Sequence, residues 1–420
     1  MKGMISVLLA WCMDACYFIG AVLLSPVWLT RMLRTGKIRT DWRARFGMGQ
    51  ALSAKRCSRV VLYAVSVGET NAIRGLVAEL SASTPPVEVV IAAQTDTGFR
   101  RATELYGAQH AVVRWPFDFS CCMRRFYTRV NADALVLVEL ELWPNATSIA
   151  ARRGMKIIVV NGRLSARSFR RYCRVSAMVR PMFARVAQVL AQTQEYATRF
   201  VALGAAQDRV VVSGTMKWDS VALENSVAGA DALALALGID RTRPLVVAGS
   251  TEPGEELLLR NALPRGTQLL IAPRKPEWFD GVARNLEGCV RRSQPQGQRA
   301  SDFYLLDTIG ELRMAYSLAD VVVIGRSFGV LHGSDPIEPI GLGKATVIGP
   351  RAGDFKESMD ALLEGQGIEQ VTHEALAVTL SRLLGDRAAR SALAARGRAV
   401  IESKQGATRM TAEAVRALLR

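Results

Sequence analysis

The sequence predicts an α/β protein of two Rossmann-like, doubly wound domains facing a cleft, preceded by an apolar N-terminal helix. Three observations predict it. Short apolar runs alternate with helix-patterned stretches, the pattern of βαβ units whose parallel strands are covered on both faces. The alternation falls into two successive arrays that meet near residue 219. The chain has 420 residues, half of them hydrophobic, enough for two cores of roughly 150–200 residues each.

Met4 to Leu29 is almost continuously apolar, with Asp14 its single charge and Pro26 near its end. The length approaches the roughly 20 residues of a bilayer-spanning helix. Arg31, Arg34, Lys37, Arg39, Arg43 and Arg45 follow, against Asp41 alone. That asymmetry places the rest of the chain on the cytoplasmic side of a membrane. No small-residue cleavage site stands out, so residues 1–30 read as an uncleaved anchor. Asp14 and the aromatics Trp11, Tyr17, Phe18 and Trp28 leave a helix lying in the interface as the alternative to a spanning one. The basic run suits anionic lipid head groups, or only sets topology.

The first domain, residues 31–219, is expected to contain strands at Val60–Ala64, Val87–Ala93, Ala111–Trp115, Ala134–Val138, Lys156–Val160, Gln188–Ala191 and Arg209–Ser213. A helix over 220–242, with Gly238 near its end, leads into the second domain, residues 220–420. There the strands are expected at Pro244–Ala248, Gln268–Ala272, Phe303–Asp307, Val321–Ile324 and Ala345–Ile348. Ser293 to Ala300 reads as a surface loop, and the chain from about Glu374 as helical.

The net charge of +16 points to an anionic partner. No aromatic-plus-basic platform is visible, so nucleic acid is not the expected one. Seven scattered Cys without a CxxC pair argue against a disulfide framework or a zinc site. Three His, at 110, 332 and 373, argue against a His-rich metal centre.

The candidate chemistry sits at strand ends, where open α/β sheets bind ligands. Val65-Ser66-Val67-Gly68-Glu69-Thr70 joins a strand to a helix. Glu69 can project there as a base, or serve only as a first-turn acid favoured by the helix dipole. Glu139 and Glu141 follow the fourth run; paired carboxylates there cost desolvation unless they act as acid, base or acceptor, or pair locally. Asn161-Gly162-Arg163 opens an Arg-rich stretch suited to phosphate or carboxylate. Lys217 lies one turn past the last strand. In the second domain, Gly249-Ser250-Thr251 before a helix reads as an anion cradle. Arg274 and Lys275 stand at another strand end, and Thr308 with Glu311 has capping-box spacing. Glu338, in a helix's first turn beside Asp335-Pro336, is placed to hold ribose hydroxyls or is ordinary helix structure.

The order of these segments resembles the family of 3-deoxy-D-manno-octulosonic acid (Kdo) transferases across nearly the whole chain. The matching segments are VSVGET (65–70), ELWPN (141–145), NGRLSARS (161–168), SGTMKWD (213–219), GSTEPGEE (249–256), APRKPE (272–277), DTIGEL (307–312) and HGSDPIEP (332–339). The resemblance implies a GT-B fold and inverting transfer of Kdo from CMP-Kdo to the lipid A precursor, without metal or cofactor. It implies Glu69 as general base, with Glu141, Glu139 and Lys217 stabilising the transition state. CMP contacts carry over to Pro273, Arg274, Ile309, Gly310, Glu311, Asp335, Pro336, Ile337 and Glu338, with Ser250 and Arg163 as further substrate contacts. The chain departs from the family at Ser334-Asp335-Pro336-Ile337-Glu338, where His-Asn-Pro-Leu-Glu is usual. It also has Arg326 for a Gly, Leu306 where a Gly often stands, and Gly162 for an Ala. The donor-side changes leave open another activated sugar or an inactive membrane-bound homologue. A sugar-nucleotide epimerase shares the expected architecture, but the hydrophobic anchor counts against it.

Overall fold

A computed structural model describes residues 2–34, 40–294 and 301–420, with side chains described except at 2–10, 12 and 31. Parts of the N-terminal basic run and of the 293–300 loop lie outside these residues. The chain divides into two compact units, residues 1–220 with 405–420, and residues 221–404. The boundary after residue 219 is displaced by one residue. The last sixteen residues, expected in the second domain, fold with the first unit.

The first unit is built on a seven-stranded parallel sheet. Its strands are β1 (Ser58–Tyr63), β2 (Val87–Ala93), β3 (Ala111–Arg114), β4 (Ala134–Val138), β5 (Lys156–Gly162), β6 (Gln188–Ala191) and β7 (Val210–Val212). Their order is β3-β2-β1-β4-β5-β6-β7. The strand interiors are Val, Ile, Leu and Ala buried on both faces, which explains why they read as continuous runs rather than alternations. Tyr63 stacks on Trp115 at 3.9 Å between ring centroids, and Trp115 meets Phe126 edge-on at 5.3 Å. Each such buried side chain contributes about 1.5–3 kcal/mol. The opposite face is closed partly by the C-terminal helix Ala407–Leu419, whose Ala407, Ala412 and Val415 join that core.

The second unit repeats the plan with β8 (Leu245–Thr251), β9 (Gln268–Pro273), β10 (Val290–Arg291), β11 (Phe303–Leu305), β12 (Val321–Ile324), β13 (Ala345–Ile348) and β14 (Glu369–Gln370). Their order is β10-β11-β9-β8-β12-β13-β14. The two-residue strands β10 and β14 carry too few residues to show a pattern. The helix expected over 220–242 is confined to Ala230–Leu237 and ends on Gly238 at φ 72°, a conformation that suits glycine.

The N-terminal apolar stretch folds as two helices, Lys2–Leu23 and Ser25–Arg34, not as one. No single helix among the described residues is long and apolar enough to cross a membrane. Met13–Leu23 and Ser25–Arg34 meet the criteria together, bent by 61°. Asp14, expected as an isolated charge, docks the first helix onto the sheet domain. Its carboxylate accepts from Ser120 N (2.8 Å), Ser120 Oγ (2.6 Å) and Asn145 Nδ2 (2.9 Å). Tyr17 Oη donates to Asp118 at 3.0 Å, and Asp118 also accepts from Asn145 N and Ala146 N.

Candidate active site

In the first sheet the strand order reverses direction between β1 and β4. Chains leave the two strands there to opposite sides and open a crevice at the carboxyl edge. Glu69 follows β1, while Glu139 and Glu141 follow β4. Glu69 is the third residue of the helix Val67–Ala72, whose N-cap is Ser66. Its Oε1 accepts from Ser66 Oγ (2.8 Å) and its Oε2 from Val65 N (2.8 Å), while Ser66 Oγ accepts from Glu69 N (3.4 Å). This is a variant of the reciprocal capping box. The first-turn role is therefore real, and it also fixes the carboxylate at the crevice.

Glu139 and Glu141 sense the carboxylates around them. Glu139 is pushed above the usual carboxylate range by burial first and then by Glu69 and Glu141, against the nearby cation of Arg163. Glu141 is raised by burial and by Glu69, against the Trp143 indole N–H that donates to its Oε2 at 2.9 Å. Like charges crowded in a half-buried crevice favour shared protons, as acid–base chemistry requires. The Tyr63 phenol is held protonated by burial and by Glu141 and Glu69.

Backbone strain marks the same edge. Glu139 has φ 62° and Asn161 φ 51°, a region that costs a non-glycine residue energy. Asn161 sits where the β5–β6 register shifts between Val159 and Gly162, so a bulge re-aims the chain. Its side chain accepts from Met216 N at 3.2 Å, and its backbone carbonyl accepts from Gln192 Nε2 at 3.0 Å. Asn161 thus ties the ends of β5 and β6 to the loop that carries the half-buried Lys217. Arg163 is exposed at the same edge. The expected residues Glu69, Glu139, Glu141 and Arg163 are brought together; Lys217 is positioned through its neighbour.

The second sheet reverses between β8 and β12. Ser250, at φ 58°, sits at a second register shift, between Gly249 and Thr251, and Arg326 after β12 has φ 60°. Two N–H groups of the expected anion cradle are already taken: Glu252 N donates to Glu255 (2.9 Å) and Gly254 N to Glu256 (2.8 Å). Glu255, 3% exposed, also accepts from Arg326 N, Ser327 N and Phe328 N at 2.8–3.0 Å. One buried carboxylate therefore shapes the whole loop after β12. Burial raises its pKa, against those backbone bonds. Thr251 Oγ1 and Ser334 Oγ are buried with no hydrogen-bond partner among the described residues. Buried hydroxyls left so are costly, and a ligand is one thing that satisfies them.

Glu338 is raised by burial and by Asp335, against Arg313. Asp335 Oδ1 accepts from Ile337 N at 3.2 Å, a task an Asn carbonyl performs as well, so the backbone role survives that departure. Arg326 Nη2 pairs with Asp354 at 3.5 Å. Pro273 is buried at the end of β9, and Arg274 is exposed beyond it. Ile309 is 74% exposed next to Gly310 at φ 98°. The capping box expected at 308–311 is absent: the helix starts at Leu312, and Thr308 Oγ1 donates to the Glu311 carboxylate instead. Despite partial burial, that bond and Arg292 hold Glu311 below its usual range. Sequence reading missed Asn161, Trp143 and Glu255 as organisers. The spacing ELW placed Trp143 within reach of Glu141, but nothing local announces Glu255's partners seventy residues away.

Solved structures share this architecture. UDP-GlcNAc 2-epimerase of Neisseria meningitidis, bound to UDP-GlcNAc, is 12% identical at a TM-score of 0.53, over 82% of this chain and 98% of its own. Anabaena HepE, in complex with UDP and glucose, is 12% identical at 0.53, over 86% and 100%. The fold is the two-domain α/β fold of GT-B type that these structures share. A family model described as 3-deoxy-D-manno-octulosonic-acid transferase (kdotransferase) matches residues 40–220. The 3-deoxy-D-manno-octulosonic acid transferase of Bordetella pertussis is 32% identical over 418 residues, 93% of this chain and 95% of the relative. That of Haemophilus influenzae is 28% identical over 388 residues, 89% and 90% of the two chains. The chain belongs to the Kdo transferase family of glycosyltransferases.

Proposed function

We propose that this protein transfers Kdo from CMP-Kdo to the lipid A precursor at the cytoplasmic face of the inner membrane. The observation that carries the reading is the group of Glu69, Glu139 and Glu141 at the β1/β4 crevice of a chain in this family. Glu69 takes the proton of the acceptor hydroxyl as that oxygen bonds to the anomeric carbon of Kdo. The bond from that carbon to the CMP phosphate oxygen breaks on the opposite face, giving inversion. Lys217 and Arg163 offset negative charge on the donor carboxylate and departing phosphate. Glu141 and Glu139 stabilise positive charge developing on the sugar. The second unit holds the nucleotide, with Glu338 on the ribose hydroxyls, Arg274 on the phosphate, and Ser250, Pro273, Ile309 to Glu311 and Asp335 to Ile337 around it.

The exposed apolar side chains of the two N-terminal helices, Leu23 at 73% and Val27 at 66% among them, support membrane association, since such faces mark interaction surfaces. The test is a transfer assay in detergent with CMP-Kdo and tetra-acylated lipid A precursor, read by mass spectrometry of the lipid. A gain of one or more Kdo units is expected; none from folded protein overturns the reading. Arg274→Ala and Glu338→Ala are each expected to raise the KM for CMP-Kdo about tenfold or more. Unchanged donor KM in both would displace the nucleotide site.

A further inference from the structure

A cavity of about 720 Å³ lies in the first unit between the N-terminal helices and the sheet domain. One wall is Phe18, Gly20, Ala21, Leu24 and Trp28; the other includes Phe46, Phe117 and Trp143. It is open on the side of Phe18 and Leu24, which remain 64% and 60% exposed. The size and lining fit a single apolar guest, since ligand pockets span roughly 300–1,000 Å³.

Two features say which guest. The first is continuity with the carboxylate crevice. Trp143 forms part of the cavity wall, and its indole N–H donates to Glu141 at 2.9 Å. Gln94, also in the wall, accepts from Tyr63, whose phenol senses Glu69 and Glu141. A guest here touches side chains that hold the candidate catalytic groups. The second is polarity. The charged groups at the margin are engaged with one another: Arg45 and Arg114 both pair with the carboxylate of Asp96, at 3.2 and 2.7 Å. Asp118, the other acid in the lining, already accepts from Tyr17, Asn145 N and Ala146 N. An apolar sleeve with its polar margin already paired, beside a sugar-transfer crevice, fits one acyl chain of a glycolipid.

We propose that this cavity holds an acyl chain of the acceptor and so places the acceptor's sugar at the Glu69 crevice. The proposal rests on the transfer reading above. A Cβ added at Gly20 meets nothing within 4 Å, so Gly20→Leu fills the cavity while favouring the helix; Ala21→Phe fills it from the next position. Both variants and the unmodified chain are assayed with tetra-acylated precursor and with its fully deacylated counterpart. The ratio of kcat/KM for acylated over deacylated acceptor is expected to fall at least tenfold in each variant. A ratio unchanged in both variants overturns the proposal while leaving transfer intact. No transfer to either acceptor by the unmodified chain sinks the transfer reading itself. A second measurement needs no variant. Precursor with brominated acyl chains is expected to quench the tryptophan fluorescence of the unmodified chain saturably, through Trp28 and Trp143. Absence of saturable quenching overturns the acyl site.

Discussion

The carboxylate of Glu69 is held from two sides, by Val65 N and Ser66 Oγ, so substitution there tests two roles at once. Glu69→Gln keeps oxygen and shape for the cap but cannot take a proton. Transfer is expected to fall by at least a hundredfold, with CMP affinity and thermal stability nearly unchanged. Glu69→Ala loses the same activity and, in addition, about 1 kcal/mol of stability from the broken cap. Retained turnover in the Gln variant would remove Glu69 as the base. Trp143→Phe probes the neighbouring acid. The indole bond lowers the Glu141 pKa against burial, so its loss moves that pKa further up. The acid limb of the kcat/KM profile is then expected to shift to higher pH; an unmoved limb would mean Glu141 does not need its charge. The positions of Glu69, Glu139 and Glu141 were legible in the sequence because each follows an apolar run. What was not legible is how Asn161 and Trp143 orient them, since those bonds depend on left-handed backbone and on loops meeting in space.

Among elements, the helix Ala407–Leu419 shows where one-dimensional reading stops. Its helical pattern was readable, but its place was assigned by sequence proximity. In the structure Asp219, the last residue of SGTMKWD, accepts from Gly406 N (2.6 Å) and Thr408 N (2.7 Å). A carboxylate at a helix N-terminus satisfies two orphan donors and the dipole together. Asp219→Ala is expected to cost about 1–2 kcal/mol and lower the melting temperature by roughly 2–8 °C. Asp219→Asn should recover most of it. An unchanged melting temperature in the Ala variant would mean the helix is held by its apolar face alone. The strands were legible for a different reason: buried parallel strands need no partner information to appear as apolar runs. The departures were the two-residue strands β10 and β14 and the break of the N-terminal stretch at Leu24.

For the molecule as a whole, Asp118 links the N-terminal helices to the sheet and sets a pH dependence. Burial pushes its carboxyl from an ordinary 3.8 up to about 7, against the bonds from Asn145, Ala146 and Tyr17. The folded state therefore binds this proton more tightly than the unfolded chain does. The stability so contributed is full below about pH 4 and is lost as pH rises through 7. Between pH 5 and 8 the native chain's melting temperature is expected to fall relative to that of Asp118→Asn. Parallel curves would show that Asp118 titrates normally. The division of the chain has a consequence for truncation. Residues 221–404 form a unit in one piece, whereas the first unit needs residues 405–420. A chain cut after residue 404 holds all of the second unit while the first lacks its closing helix. The strands that flank the Glu69 crevice then lack the part of their second face that Ala407, Ala412 and Val415 cover. A chain truncated after residue 404 should therefore carry a protease-resistant unit over residues 221–404 and a first unit open to proteases.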